Sequence, residues 1–99
     1  MEIKTNKSGN DFTVAPEGEI NILTAPEFEE TLNNGLDGIE LLTIDFKDCD
    51  YVSSPGLRVL LATFKILKKN KAKMRLINVG ENFTEVLENT GLDAVFDVE

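Results

Sequence analysis

Residues 40–46, Glu-Leu-Leu-Thr-Ile-Asp-Phe, form a short and nearly continuous apolar run. Such a run suits a central β-strand covered on both faces. It lies between two segments with helical spacing, and this arrangement constrains the chain more than any other feature. Upstream, Phe28, Leu32 and Leu36 recur four apart and make one apolar stripe. Downstream, a helix is expected from Pro55 to near Asn70. Met74-Arg75-Leu76-Ile77-Asn78-Val79 and Ala94-Val95-Phe96-Asp97-Val98 read as two further strands. Between them, Asn82 to Thr90 is expected to be a short helix with Phe83, Val86 and Leu87 inward. Gly91 in the left-handed conformation, followed by a contact from Leu92, would stop it.

Residues 2–6 are expected as an edge strand. Residues 11–17 alternate as a half-buried strand does, and Gly18 punctuates them. The first helix opens with Thr24-Ala25-Pro26-Glu27, in which Thr24 caps the N–H of Glu27 and the Glu27 carboxylate reaches back to Thr24. Pro26 in the first turn loses no helical bond. Asn34-Gly35 ends the helix. The expected order is strand, strand, helix, strand, helix, strand, helix, strand. Strands alternating with helices imply right-handed crossovers and a largely parallel sheet, hence an α/β fold.

Ninety-nine residues make one domain, 1–99, and no Pro-, Gly- or Ser-rich stretch divides them. So short a chain has little room for both a core and a deep, walled cleft, which favours recognition over multi-step catalysis. The net charge of −8 repels phosphate backbones and anionic lipid, so nucleic acid and membrane surfaces are poor partners. Cys49 is the single cysteine; it reads as a small packed side chain, and a free thiol fits a reducing compartment. The N-terminus carries no apolar leader and no run approaches a membrane span, so the chain is read as cytoplasmic.

The informative junction is Asp50-Tyr51-Val52-Ser53-Ser54-Pro55-Gly56-Leu57-Arg58-Val59-Leu60-Leu61. Ser54 suits a helix N-cap and Pro55 the first helical position. This place, beyond the carboxyl end of a strand, is where open α/β sheets meet ligands and partners. Two readings stand side by side: plain capping, worth about 1 kcal/mol, or phosphorylation of Ser54. A phosphate there would face the N–H groups of Gly56 and Leu57 and the positive end of the helix dipole. Asp48 and Asp50 read as solvated loop charges.

On a helical wheel, Leu57, Leu60, Leu61, Phe64 and Leu67 share the core face. Val59, Thr63 and Ile66 fall opposite, with Ala62 beside them and Arg58, Lys65 and Lys69 flanking. That second stripe is either a contact surface rimmed by cations or a face covered by a neighbouring helix. Residues 58–75 hold seven of the ten cations and no acid, which gives an acidic protein one preferred face for an acidic partner.

Gly18-Glu19-Ile20-Asn21, then Ala25 and Phe28, then Tyr51 to Leu61, then Thr90-Gly91-Leu92, resemble the STAS domain of bacterial anti-sigma factor antagonists and sulphate-transporter tails. The likeness spans almost the whole chain, and Ser-Ser-x-Gly-Leu-x-x-Leu-Leu is its most specific part. The resemblance implies a single domain with a four- or five-stranded mixed sheet flanked by helices. It also implies partner switching in transcription regulation. The unphosphorylated domain binds a serine-kinase anti-sigma factor of histidine-kinase-like ATPase fold. That kinase phosphorylates one serine, here Ser54, and a metal-dependent serine phosphatase restores the complex. Asn21, Ser53, Ser54, Pro55, Gly56, Arg58, Val59, Ala62, Thr63 and Ile66 are the expected partner-binding residues. The family often has Asp at the positions of Asn21 and Ser53 and a small residue at Pro55.

Two other classes remain in view. The chain has no histidine and no Gly-rich phosphate loop, which removes His-based triads and P-loop chemistry; no catalytic residue, metal site or cofactor is expected. A STAS scaffold that is never phosphorylated, or a module sensing a small ligand such as a nucleotide, is the alternative kept open by Asn21, Ser53 and Pro55.

Overall fold

The computed structural model describes residues 1–99. In chain order the elements are β1 (Glu2–Ser8), β2 (Asp11–Ile20), α1 (Ala25–Asn34), β3 (Leu41–Asp45), β4 (Cys49–Val52), α2 (Ser54–Lys69), β5 (Lys73–Ile77), α3 (Glu81–Thr90) and β6 (Asp97–Val98), with a 3₁₀ turn at Leu92–Ala94. The sheet runs β1-β2-β3-β5-β6, with β4 joined to β2 off that path. β1 is antiparallel to β2, and every other pairing is parallel. The mixed α/β sheet is the one the resemblance implies, with six strands where four or five were expected, and β4 is the strand that periodicity did not reveal. Four residues with only Val52 buried carry no alternation to read.

Along β2, Phe12, Val14 and Pro16 are buried while Thr13, Ala15 and Glu17 are not. The buried set joins Leu42, Ile44, Met74 and Leu76 and meets Phe28, Leu32, Leu60, Leu67, Phe83 and Leu87 in one core. All three helices therefore supply that core on one side of the sheet. β3 is thus covered by helices on one face only. On the other, Thr43 is buried beneath Arg75, whose Nε and Nη2 donate to Thr43 Oγ1 at 3.3 and 3.2 Å. The apolar run of residues 40–46 reads as two-sided because a threonine under a guanidinium is hidden without a helix above it.

Gly9, at φ +60°, takes the first central position of the two-residue β1–β2 turn. Gly18, at φ +91°, does not end β2; the register shifts between Gly18 and Glu19 and the strand continues to Ile20. Residues 94–96 are not strand. Only Asp97–Val98 pair with β5, because Phe96 turns into the core against Phe64, ring centroids 5.7 Å apart. Gly35 does follow α1, but at φ −115°. A Cβ there would collide with the Phe12 ring.

The expected capping box at α1 does not form. Thr24 is the N-cap but makes no side-chain cap bond. Its Oγ1 donates instead to the Glu19 carbonyl at 2.7 Å and accepts from the Asn21 N–H at 2.8 Å. Tying the loop to the end of β2 uses the hydroxyl that the cap would have needed.

Candidate functional site

Two chain segments meet at the C-terminal edge of the sheet. One is the loop 21–24 after β2; the other is Ser53 and the first turn of α2 after β4. They are neighbours because Ile20 and Val52 pair in register and Ser53 N–H donates to the Ile20 carbonyl at 2.8 Å.

Asn21 organises the first segment. Its Oδ1 accepts from the N–H groups of Leu23 at 2.9 Å and Thr24 at 3.1 Å, an Asx turn. Its carbonyl accepts from Ala25 N–H at 2.8 Å. The tightened loop thrusts Ile22 and Leu23 into water, 75% and 85% exposed. Sequence reasoning missed this pair. Its signal was two large apolar residues that belong neither to the alternation of β2 nor to the stripe of α1.

In the second segment the helix starts one residue earlier than expected. Ser53, at φ −85° and ψ 178°, is the N-cap, and Ser54 and Pro55 are the first two helical residues. Extended Ser53 continues the strand pairing and so takes the cap position. Its Oγ is buried without a hydrogen-bond partner. Leu57 N–H donates to the Ser53 carbonyl at 3.0 Å, so the cradle expected from Gly56 and Leu57 loses a donor. The first turn leaves the amides of Ser54 and Gly56 without an intrahelical acceptor. Ser54 itself is exposed.

Gly56 is buried, and a Cβ there would lie 2.7 Å from Val52 Cγ1 and 2.8 Å from Ile20 Cγ2. The absent side chain lets the helix head sit directly on the ends of β2 and β4. A groove of about 270 Å³ runs between the starts of α1 and α2, lined by Ile22, Ala25, Pro26, Pro55, Arg58 and Val59 together with Glu29.

The remaining expected contact residues divide. Arg58, Ala62 and Ile66 are exposed. Val59 and Thr63 are buried, 6% and 1% exposed; Val59 lies beside Ala25 and Pro26 at the start of α1, and α1 packs on α2. The buried arc of α2 passes through Gly56, Val59, Leu60, Thr63 and Leu67, while Leu57, Leu61 and Phe64 are only half-buried. The face is rotated from the expected one because Gly56 and Thr63, which hydropathy ignores, permit close approach. The cations divide as well. Arg58 stands beside the groove, but Lys65 to Lys73 lie toward the other end of a sixteen-residue helix, about 24 Å long.

A second concavity of about 330 Å³ lies between β4 and the start of α3, lined by Phe46, Cys49, Tyr51, Asn78, Gly80 and Phe83 among others. Burial pushes the Cys49 thiol above its ordinary range. No three Cys, Asp or Glu side chains converge as metal ligands do, and no helix is long and apolar enough to cross a membrane.

A family model of the STAS domain matches residues 2–99. The anti-sigma-B factor antagonist of Bacillus subtilis (strain 168) is 34% identical over 102 residues, covering 99% of this chain and 88% of that protein. The crystal structure of an anti-sigma factor antagonist from Mycobacterium paratuberculosis aligns with TM-score 0.86 at 26% identity, over 98% of this chain and 83% of that one. The phosphorylated form of the Bacillus cell fate determinant SpoIIAA shares the fold, with TM-score 0.78 at 12% identity over 99% of this chain and 91% of that one.

Proposed function

The chain belongs to the STAS domain family, and from that premise we propose that it is an anti-sigma factor antagonist that binds a serine-kinase anti-sigma factor and is switched off by phosphorylation at Ser54. The observation that carries this reading is an exposed serine in the first turn of α2, beside an apolar groove and the protruding Ile22 and Leu23. Relatives covering nearly the whole chain are named anti-sigma-B factor antagonists.

The partner covers Ile22, Leu23, Pro55 and the exposed flank of α2 at Arg58 and Ala62. A phosphate adds about −1.5 to −2 charge at neutral pH. Desolvating that dianion in an apolar interface costs several kcal/mol, and about 1.4 kcal/mol corresponds to tenfold in affinity. One modification at Ser54 thus lowers binding by orders of magnitude without refolding the domain. Catalysis resides in the kinase and in the metal-dependent phosphatase that reverses it; this chain is their substrate in the cytoplasm, not an enzyme.

The test is incubation with ATP and the cognate kinase, read by intact mass and by binding of the product. One phosphate on the wild type, none on Ser54→Ala, and loss of kinase binding on modification are expected. An unmodified chain that still binds the kinase would overturn the switch. It would favour the second reading, an unphosphorylated scaffold or small-ligand module, for which the concavity beside Tyr51 and Phe83 offers space.

A further inference from the structure

We infer that the far end of α2 is a second docking surface, fitted to an acidic protein segment with an apolar anchor. Lys65, Lys68, Lys69, Lys71 and Lys73 are all exposed there. None takes part in an ion pair; those in the structure join Met1 to Glu27, Lys4 to Glu17 and Arg75 to Glu99. Among these lysines opens a groove of about 260 Å³, with Phe64, Ala72, Met74 and Val95 as apolar lining and Lys68 and Lys73 on its wall. Val95 is 43% exposed. An apolar slot with cations on its wall complements an apolar side chain flanked by carboxylates.

The helix dipole accounts for Lys68 and Lys69 in the last turn. It favours a cation at Lys71 too, but it does not explain why a lysine takes the left-handed position there. Ala72 N–H donates to the Leu67 carbonyl at 2.8 Å and Lys71 N–H to the Lys68 carbonyl at 3.1 Å. Those two bonds make a Schellman ending whose C′ residue is Lys71, at φ +60°. The helix α3 ends with Gly91 at φ +76°, the residue that takes this conformation without strain. In α2 the left-handed position holds a cation at the tip of the surface instead of a glycine, which sets charge display above local ease.

The charge pattern selects among anions. Residues 58–75 carry seven cations and no acid, so the rest of the chain holds three cations and eighteen acids, a charge of 3 − 18 = −15. Glu40, Asp97 and Glu99 border the pole: Lys73 N–H donates to the Glu40 carbonyl at 2.9 Å, Asp97 is the one carboxylate of the groove, and Glu99 holds Arg75. A duplex or lipid surface would press on these acids, whereas a short segment can seat among the lysines alone. Because Ser54 lies at the opposite end of α2, both surfaces can be occupied at once.

The experiment is amide shift mapping on the ¹⁵N-labelled full chain with a synthetic peptide of Asp and Glu residues flanking a single Leu. Shifts are expected at Phe64, Lys68, Ala72, Lys73 and Val95 and not at residues 20–24 or 53–58. Lys68→Glu with Lys73→Glu, both exposed, should weaken binding at least about tenfold and Asp97→Asn should tighten it, since rim charges act through electrostatic complementarity. Ser54→Asp should leave the affinity unchanged, whatever the fate of the phosphorylation switch. Any of four results would overturn the inference: no saturable shifts, equal binding of a peptide with Ser in place of Leu, stronger binding to anionic vesicles or duplex DNA, or groove shifts that follow protein concentration without peptide.

Discussion

Gly56 and Ile20 approach so closely that a methyl group on the Gly56 Cα would lie 2.8 Å from the Ile20 Cγ2. This contact seats the head of α2 on the end of β2 and fixes where Ser54 emerges. Alanine at position 56 gains about 1 kcal/mol in helix propensity, but overpacking costs about 1–3 kcal/mol. Gly56→Ala should therefore lower the urea midpoint, and it should weaken kinase binding by tilting the helix head. A variant as stable as wild type would show that the contact yields freely.

Asn21 shapes the loop that exposes Ile22 and Leu23. Asn21→Ala removes the acceptor of two amides and should cost about 1–2 kcal/mol by urea unfolding. Asn21→Asp keeps an acceptor oxygen at the same place and should retain both stability and partner affinity. If the Asp variant falls as far as the Ala variant, the amide group itself is needed and the Asx turn is not the reason.

The fold was legible wherever burial leaves a period: Phe28, Leu32 and Leu36 all turned inward, and Gly91 took the left-handed stop. What escaped was set by contacts distant in sequence. Thr24 gave its hydroxyl to Glu19 and not to a cap, and β4 exists because Glu19 and Ile20 offer it a partner. At the site, a helix start at Ser54-Pro55 could be read to within one residue, since Ser53 and not Ser54 is the N-cap, but the strand immediately before it could not. The burial of Val59 and Thr63 could not, because a wheel does not say how many neighbours a helix has.

That difference has a measurable form. Val59→Ala, at the α1–α2 junction, removes two buried carbons at about 0.8 kcal/mol each and should destabilise by about 1.5–2 kcal/mol. Ile66, 42% exposed, should tolerate alanine to within about 1 kcal/mol. Equal losses at both positions would mean that Ile66 is covered in solution.

Cys49 should behave as a poorly reactive thiol. Burial raises its pKa, with the charges of Asp50 and Glu19 acting the same way against backbone hydrogen bonds at Tyr51 and Ile20. The fold therefore favours the protonated thiol. That contribution is complete below the unfolded thiol value and is lost as pH rises through the higher folded value. Iodoacetamide should modify the native chain more slowly than the urea-unfolded chain at neutral pH, with its rate rising at higher pH. Cys49→Ser should lose less stability than wild type across that alkaline range. Equal alkylation rates at neutral pH would refute the shift.

Ser54 and Arg58 stand one turn apart on α2, the i, i+4 spacing that brings side chains together. Arg58 is exposed and takes part in no ion pair, so it is free to meet a phosphate on Ser54. The helix dipole favours the same group at the same end. Phosphorylated protein should consequently unfold at a higher temperature, by the equivalent of about 1 kcal/mol. Arg58→Ala should remove part of that gain, and Arg58→Glu should cancel it. Differential scanning calorimetry on stoichiometrically phosphorylated samples decides the matter, and it bears on how the switch proposed at Ser54 would work. A domain that is steadier yet binds its kinase less well has lost the partner through charge at the interface, whereas a lower midpoint would mean that the phosphate disrupts the helix head itself.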